Sequence, residues 1–120
     1  MNDTKTSCKV AIVGSRTLSK IDIGSYLPQN CSEIISGGAT GADRAAADFA
    51  KAHNIKLTEI LPQYEKYGRG APLVRNKIIV DSADMVIAFW DGRSKGTLSV
   101  LEYCKKQKKE LLLIQVQTTN

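Results

Sequence analysis

Two short glycine-containing segments constrain the fold of this chain more than any other feature. Residues 36–43 (SGGATGAD) follow the apolar pair at 34–35, and residues 91–97 (DGRSKGT) follow the apolar run Met85–Trp90. Each segment predicts a buried strand, a glycine turn and then an amphipathic helix. That order places backbone N–H groups and the positive end of a helix dipole at the carboxyl edge of a sheet. Such a helix start suits an anion, typically a phosphate.

Basic side chains strengthen the expectation of an anionic ligand. Arg16, Arg75, Arg93 and Lys95 lie near the predicted turns or on the helix between them. Arginine suits bidentate phosphate recognition because its planar guanidinium presents paired N–H donors. The sequence therefore predicts nucleotide chemistry more firmly than any particular reaction.

The length and charge of the chain limit the number of domains and the kind of partner. With 120 residues, 42% of them apolar, the chain predicts one domain with its own core. Its formal net charge of +5 is compatible with an anionic partner without requiring nucleic acid. The lysines at 105, 106, 108 and 109 surround the end of the last predicted helix, where cations suit the negative end of the dipole. The alternative interpretation is that these lysines contact the phosphate backbone of a nucleic acid.

The cysteines and the chain termini indicate the cellular setting. Cys8, Cys31 and Cys104 are odd in number, far apart and not at metal-ligand spacing, so neither a disulfide framework nor a zinc site is expected. The first eight residues are polar, and no apolar run approaches membrane-spanning length. We therefore expect a soluble cytoplasmic protein with no metal, no cofactor and no membrane partner.

Strands and helices alternate along the chain. The predicted strands cover residues 9–13, 33–36, 57–61, 84–90 and 110–116, and the predicted helices cover 19–27, 40–53, 73–82 and 96–107. Residues 62–72 are expected to form an irregular loop beside the ligand site. A flexible N-terminus (1–8) and a C-terminal tail (117–120) are expected to flank a single domain (9–116).

This alternation predicts an α/β fold with three layers, in which helices cover a five-stranded parallel sheet. Right-handed crossovers place every strand-to-helix turn at one edge of the sheet. The expected strand order is 3-2-1-4-5, which puts the ligand crevice between strands one and four.

The glycine segments do not match the strong nucleotide fingerprints. The chain contains no Walker-type phosphate loop, and Ser36 occupies the first glycine position of the dinucleotide pattern, with Gly38 and Gly41 at the others. Glu59 lies near the distance expected of a ribose-binding acid, but its position within a strand argues against that role. The alternative for Gly37, Gly38 and Gly41 is a tight turn that binds no ligand.

Several polar residues have both a structural and a functional interpretation. Thr40 and Asp43 have the spacing of a helix capping box, so Asp43 is predicted either to cap its own helix or to contact the ligand. Arg75 and Asn76 interrupt an apolar helix and need partners if they are buried, whereas a surface arginine needs none. Trp90 could stack on a base or cover the edge of the core.

His53 is the only histidine of the chain. It lies near a predicted helix end, away from the glycine turns, so a catalytic role is not expected. Without a further histidine or a cysteine cluster, a nucleophilic triad and a transition-metal site are also not expected.

Three stretches together resemble a known superfamily. Residues 10–16 (VAIVGSR), 34–50 (IISGGATGADRAAADFA) and 71–97 (APLVRNKIIVDSADMVIAFWDGRSKGT) resemble the SLOG superfamily of Rossmann-like nucleotide-binding proteins, and in particular its small YspA-like members. The resemblance covers nearly the whole chain. It implies a nucleotide-derived ligand and a homodimer. With the turn after the first strand included, the candidate ligand-binding residues are Gly14, Ser15, Arg16, Gly37, Gly38, Thr40, Gly41, Asp43, Arg75, Asn76, Trp90, Asp91, Ser94, Gly96 and Thr97.

Two relatives within the superfamily imply different activities. The Lonely Guy phosphoribohydrolases cleave nucleoside monophosphates with an arginine, matched here by Arg75, and a glutamate whose position falls on Val100. Glu102 lies two residues further along, which on a helix points about 200° away. Arg75 and Glu102 are therefore the catalytic candidates, and the missing carboxylate argues against hydrolysis because glycosidic cleavage needs one.

The second relative is DNA-processing protein A, which binds single-stranded DNA. Residues 13–16, 36–43, 75–76 and 94–98 are similar to its motifs, but this chain lacks the flanking domains of that family. We expect a nucleotide-binding sensor or ligand-processing module. A phosphoribohydrolase of nucleoside monophosphates is the first alternative, and single-strand DNA binding is the second.

Overall fold

The computed structural model describes residues 7–18 and 20–116. The strands in this part of the chain are β1 (Cys8–Gly14), β2 (Cys31–Ser36), β3 (Lys56–Glu59), β4 (Met85–Trp90) and β5 (Glu110–Gln115). The α-helices are α1 (Ala42–Ala52), α2 (Tyr64–Tyr67), α3 (Ala71–Ser82) and α4 (Lys95–Gln107), with a short 3₁₀ turn at Gly68–Gly70.

The five strands form one parallel sheet in the order β3-β2-β1-β4-β5, which confirms the predicted fold class and strand order. The central strand β1 pairs with β2 on one side and with β4 on the other. Gly14, at the end of β1, lies opposite Phe89 of β4. The strand order reverses direction at β1, so the turns after β1 and β4 meet at the carboxyl edge of the sheet.

Apolar side chains cover both faces of the sheet. Val10 and Ile12 pack on the face that carries α1, and the alternate residues Ala11 and Val13 pack on the face that carries α3 and α4. Successive residues of a strand point to opposite faces, so a strand buried on both faces needs apolar residues throughout. Burial on both faces explains the continuous apolar runs of the sequence. The helices on either side of the sheet make the fold three-layered.

The predicted helix over 19–27 is wrong. Between Lys20 and Asn30 the chain forms turns and no helix, with one turn at residues 24–26. The carboxylate of Asp22 accepts a hydrogen bond from the N–H of Ser25 at 3.2 Å, and this local bond offers the backbone an alternative to a helix. Ile23 is nevertheless buried against the sheet, so the segment covers the core as a helix would. Residue 19 lies outside the described residues.

The prediction of an irregular segment over 62–72 is also wrong. It contains α2 and the 3₁₀ turn, and α3 begins at Ala71 rather than at Leu73. Pro72 lies in the first turn of α3, where the N–H that proline lacks has no helical partner. The proline therefore marks the start of a helix and not the end of a loop.

The predicted boundary of the domain shifts at one end. Cys8 belongs to β1 and not to the expected flexible N-terminus. Residues 1–6 and 117–120, predicted to be flexible or a tail, lie outside the described residues. Across the described ranges, no helix has the length and apolar character needed to cross a membrane.

The thiols of Cys31 and Cys104 are free. Burial raises the pKa of the Cys31 and Cys104 thiols above the usual value for cysteine. Within 7–18 and 20–116, no group of three or more His, Cys, Asp or Glu side chains could hold a metal ion.

The start of α1 lies directly against the loop that follows β1. A Cβ added to Gly41 would be 2.4 Å from the carbonyl oxygen of Ser15, and Gly41 has a φ of 72°. By contrast, a Cβ added to Gly96, in the first turn of α4, would meet no atom within 4 Å.

We therefore expect opposite effects from the same substitution at these two glycines. Gly41→Ala should lower the free energy of unfolding by about 1–3 kcal/mol, since the left-handed backbone and the Ser15 carbonyl both exclude a side chain. Gly96→Ala should raise it by about 0.5–1 kcal/mol, because alanine favours a helix over glycine. Urea unfolding monitored by circular dichroism measures the free energy of unfolding of both variants. Equal changes in the two variants would contradict this account of the turn.

Candidate functional site

A cleft with a volume of about 420 Å³ opens at the carboxyl edge of the sheet, where the turns after β1 and β4 meet. Its walls come from the ends of β1, β2 and β4 and from α1, α3 and α4. Most of the residues predicted to bind the ligand line it: Gly14, Ser15, Arg16, Gly37, Asp43, Arg75, Asn76, Asp91, Ser94, Gly96 and Thr97.

Four predicted ligand-binding residues do not line this cleft. Gly38 and Thr40 face a separate depression on the outer side of α1, and Gly41 packs against the backbone after β1. The indole N–H of Trp90 donates to the carbonyl of Ser94 at 3.0 Å, so this side chain holds the turn between β4 and α4. The structure places these four residues where they shape the surrounding turns.

Asp91 organises the turn between β4 and α4. Its Oδ1 accepts hydrogen bonds from the backbone N–H groups of Arg93 and Ser94, both at 2.8 Å, and its Oδ2 accepts one from the hydroxyl of Thr17 at 3.4 Å. Its own N–H donates to Oγ of Ser15 at 3.2 Å. The N–H groups of Ser94 and then Arg93 hold the pKa of Asp91 below its usual value. This carboxylate is therefore occupied by its own turn.

The start of α4 offers N–H groups to the cleft. Ser94 is the N-cap, and its hydroxyl accepts a hydrogen bond from the N–H of Thr97 at 3.4 Å. The N–H groups of Lys95 and Gly96 have no hydrogen-bond partner among the described residues. With open space beside Gly96 as well, this helix start has both the donors and the room for an anion.

The start of α1 differs, because one of its N–H groups already has a partner and its first turn carries the carboxylate of Asp43. The N–H of Ala42 donates to the carbonyl of Ser15 at 3.3 Å. The predicted capping box does not form: the N-cap is Gly41, Thr40 is exposed, and Oδ2 of Asp43 accepts from the N–H of Ala39 at 3.1 Å. A carboxylate thus stands at this helix start, which leaves α4 as the open anion site of the two.

Arg75 is buried, with only 8% of its surface exposed, so it is not the surface arginine of the alternative interpretation. Its Nη1 donates to the carbonyls of Gly37 at 2.8 Å and Ile60 at 3.4 Å, and its Nε donates to Oδ1 of Asn76 at 2.9 Å. Its Nη2 makes no hydrogen bond within the described residues. Burial lowers the pKa of this guanidinium, and the charge of Asp43 opposes that shift. The side chain is fixed in place with one nitrogen left for a ligand.

Asp43 faces Arg75 across Gly37. A Cβ on Gly37 would be 2.6 Å from Nη1 of Arg75 and 2.9 Å from Oδ2 of Asp43, so only glycine leaves room for both. Asp43 is 8% exposed, and burial raises its pKa, opposed by the Ala39 N–H and the charge of Arg75. Behind them, the buried hydroxyl of Ser36 lies beside the Asp43 carboxyl and lowers its pKa.

The catalytic candidates lie in different surroundings. Arg75 lines the cleft, whereas Glu102 is exposed and does not line it. Val100, where the glutamate was expected, is 2% exposed and presents an apolar wall. His53 stacks on Phe49 at 4.1 Å between ring centroids and does not line the cleft.

Sequence reasoning did not assign a binding role to seven other lining residues. These are Val13, Thr17, Ala39, Pro72, Ile79, Arg93 and Val100. Pro72 was detectable in principle, because a proline before an apolar helical pattern indicates the first turn of a helix. Arg93 was noted only as a nearby positive charge. Thr17 and Ala39 carry no sequence signal that separates them from ordinary turn residues.

Comparison of the chain with family models, curated proteins and solved structures finds no match in any of the three. The geometry of the cleft is therefore the basis for assigning a function. It combines an open helix start, a fixed guanidinium and a desolvated carboxylate in one small cavity.

The raised pKa of Asp43 predicts a pH-dependent stability. The folded protein keeps the proton of this carboxyl over a pH range in which the unfolded chain, with a pKa of about 4, has lost it. The resulting stabilisation is fully present below pH 4 and is lost as pH rises through the folded pKa. Asp43→Asn does not titrate and keeps an oxygen acceptor for the N–H of Ala39.

We therefore expect the stability of the wild type, relative to Asp43→Asn, to fall as pH rises above 4 and then to level off. Urea unfolding of both proteins from pH 3.5 to 8 measures this difference. The control is Asp48→Asn, which removes a carboxylate on the exposed side of the same helix, where the Asp48 side chain is 65% exposed. A difference between wild type and Asp43→Asn that rises with pH would contradict the expectation.

Proposed function

We propose that this protein binds a nucleotide or nucleotide-derived ligand in the cleft, with a phosphate at the start of α4. The observation that carries the proposal is the pair of unpartnered N–H groups, of Lys95 and Gly96, at a capped helix start that opens into the cavity. Both the free N–H groups and the helix dipole favour a negative charge at this point.

The charges around the cleft support the same ligand. Arg16, Arg75 and Arg93 all line it. Of the two carboxylates that line it within the described residues, Asp91 is occupied by hydrogen bonds of its own turn, and Asp43 faces the buried guanidinium of Arg75. The balance of charge therefore favours an anion, and arginine is the side chain best suited to phosphate.

The size and location of the cleft support a small molecule. About 420 Å³ lies within the range of roughly 300–1,000 Å³ typical of small-molecule sites. Ligands of open parallel sheets bind outside the carboxyl ends of the strands where the strand order reverses, which is the position of this cleft. The SLOG-like motifs supply most of the lining residues, and membership of that superfamily is part of the proposal.

Binding without hydrolysis is the activity that the cleft supports best. Cleavage of a glycosidic bond needs a carboxylate to activate water or to stabilise positive charge on the sugar. The wall of α4 presents Val100 at the position where the phosphoribohydrolase motif has its glutamate, and Glu102 does not line the cleft. We propose a role in sensing or carrying the ligand.

The start of α4 can be tested with a side chain that fills the proposed phosphate position. Gly96→Val should abolish nucleotide binding while preserving the fold, since a Cβ at Gly96 meets no protein atom within 4 Å and projects into the space that an anion needs. Calorimetric titration with nucleoside mono-, di- and cyclic phosphates measures the affinity. The matched control is Gly70→Val, because Gly70 also has open space around it but does not line the cleft. Unchanged affinity of Gly96→Val would remove the α4 start from the site.

Arg75 tests the other side of the cleft. Arg75→Ala should weaken binding by about 2–3 kcal/mol, the scale of losing a charge-assisted hydrogen bond. Arg75→Lys keeps the charge but lacks the donor geometry that reaches both backbone carbonyls and the ligand, so it should also bind more weakly. Circular dichroism checks that each variant is folded. Affinity equal to that of the wild type in both variants would contradict the role of this guanidinium.

The same protein preparations distinguish binding from hydrolysis. The wild type should release no more free base from nucleoside monophosphates than a buffer control, since general acid–base assistance contributes about 10²–10⁴-fold to such a reaction. Glu102→Gln should leave both binding and base release unchanged. Robust release that Glu102→Gln abolishes would restore the phosphoribohydrolase alternative.

A further inference from the structure

We infer that Asp43 accepts hydrogen bonds from the ribose hydroxyls of the ligand, so that the cleft selects ribonucleotides over nucleotides whose sugar lacks these hydroxyls. The inference rests on the proposed function and deepens it, because it names the part of the ligand that lies opposite the phosphate. It assigns Asp43 a role in specificity.

The first argument is the acceptor capacity of Asp43. Its Oδ2 accepts a hydrogen bond from the N–H of Ala39, and the buried hydroxyl of Ser36 is a second donor beside the carboxyl. A carboxylate has about four acceptor positions, so capacity remains for a ligand. The side chain lines the cleft and is almost fully buried. Asp91, the other carboxylate of the cleft, has both oxygens engaged by its own turn and by Thr17. Asp43 is therefore the carboxylate with acceptor capacity left for a ligand.

The second argument is the kind of group that such an oxygen accepts. A phosphate beside Asp43 would be repelled by its negative charge, whereas a neutral hydroxyl donates a charge-assisted hydrogen bond to it. Arg75, fixed on the other side of Gly37, balances the carboxylate charge without forming a close ion pair with it. The carboxylate is thus suited to a hydrogen bond from an uncharged donor.

The third argument is the span between the two ends of the cleft. Asp43 follows β2 and the α4 start follows β4, and these strands lie on either side of β1. Two strand spacings amount to roughly 10 Å. This separation fits one nucleotide, with its 5′-phosphate hydrogen-bonded at the start of α4 and the hydroxyls of its ribose hydrogen-bonded to Asp43.

The alternative acidic residue does not reach the cleft. Glu59, whose sequence position resembles that of a ribose-binding acid, lies at the end of β3 and faces the outer depression beside α1. Asp43 is the acidic side chain after β2 that the fold directs into the cavity. A carboxylate that accepts from ribose hydroxyls is a recurrent device in nucleotide-binding α/β folds.

The test compares 5′-mono- and diphosphates of adenosine, guanosine, cytidine and uridine with their 2′,3′-dideoxy counterparts by calorimetry. For the wild type we expect the ribonucleotides to bind roughly 10- to 100-fold more tightly than the dideoxy compounds, the range for a hydrogen bond to a charged group. Asp43→Ala should bind each pair with equal affinity, near that of the wild type for the dideoxy compound.

Two further variants complete the design. Asp43→Asn keeps an acceptor for the N–H of Ala39 and turns an amide N–H₂ toward the ligand, so it should lose most of the selectivity even where the alanine variant is unstable. Asp48→Asn removes a carboxylate on the exposed face of the same helix and should keep the full selectivity.

The outcomes separate this inference from the proposed function. If the wild type binds ribo- and dideoxynucleotides equally and Gly96→Val abolishes both, the role of Asp43 is overturned and the proposed function stands. Selectivity that persists in both Asp43 variants also overturns the inference. If no ribonucleotide binds the wild type, both the proposed function and the inference fail.

Discussion

The rest of the structure depends on the close approach of three backbone segments around Ser15. Its N–H donates to the carbonyl of Phe89 at 3.0 Å, its carbonyl accepts from Ala42, and its hydroxyl accepts from Asp91. These bonds join β1, β4 and α1 at one point. Glycines make the approach possible, since a Cβ on Gly14 would be 2.5 Å from both Ala42 Cβ and the Phe89 carbonyl oxygen. The cleft opens beside this junction, where Gly14, Ser15 and Asp91 line it.

Arg75 shows how a buried charge can connect distant parts of the chain. Its guanidinium reaches from α3 to the carbonyls of Gly37, at the end of β2, and Ile60, after β3. A buried arginine without such partners would be strongly destabilising, so its bonds to two carbonyls and to Asn76 explain why an apolar helix tolerates it. The same bonds hold the guanidinium in one orientation at the wall of the cleft.

The sequence allowed the sheet, the strand order and most of the cleft to be predicted, because apolar runs and right-handed crossovers leave few topologies. The wrong predictions have local causes. The turn held by Asp22 replaced a predicted helix, and Pro72 began a helix where a loop was expected. Spacing placed Gly38 and Thr40 near the site but could not show on which side of the loop they lie. Contacts between distant segments, such as Asp43 with Arg75 across Gly37, have no local signature.

The turn between β4 and α4 has a consequence for the thermodynamics of ligand recognition. Asp91 accepts from two N–H groups, Ser94 caps the helix and Trp90 donates to the Ser94 carbonyl, so bonds within the protein hold this turn. The entropy lost in ordering this cradle is therefore incurred when the chain folds and not when a ligand arrives. For the proposed anion, such preorganisation means that binding requires little reorganisation of the backbone, so the proposal needs no closing lid.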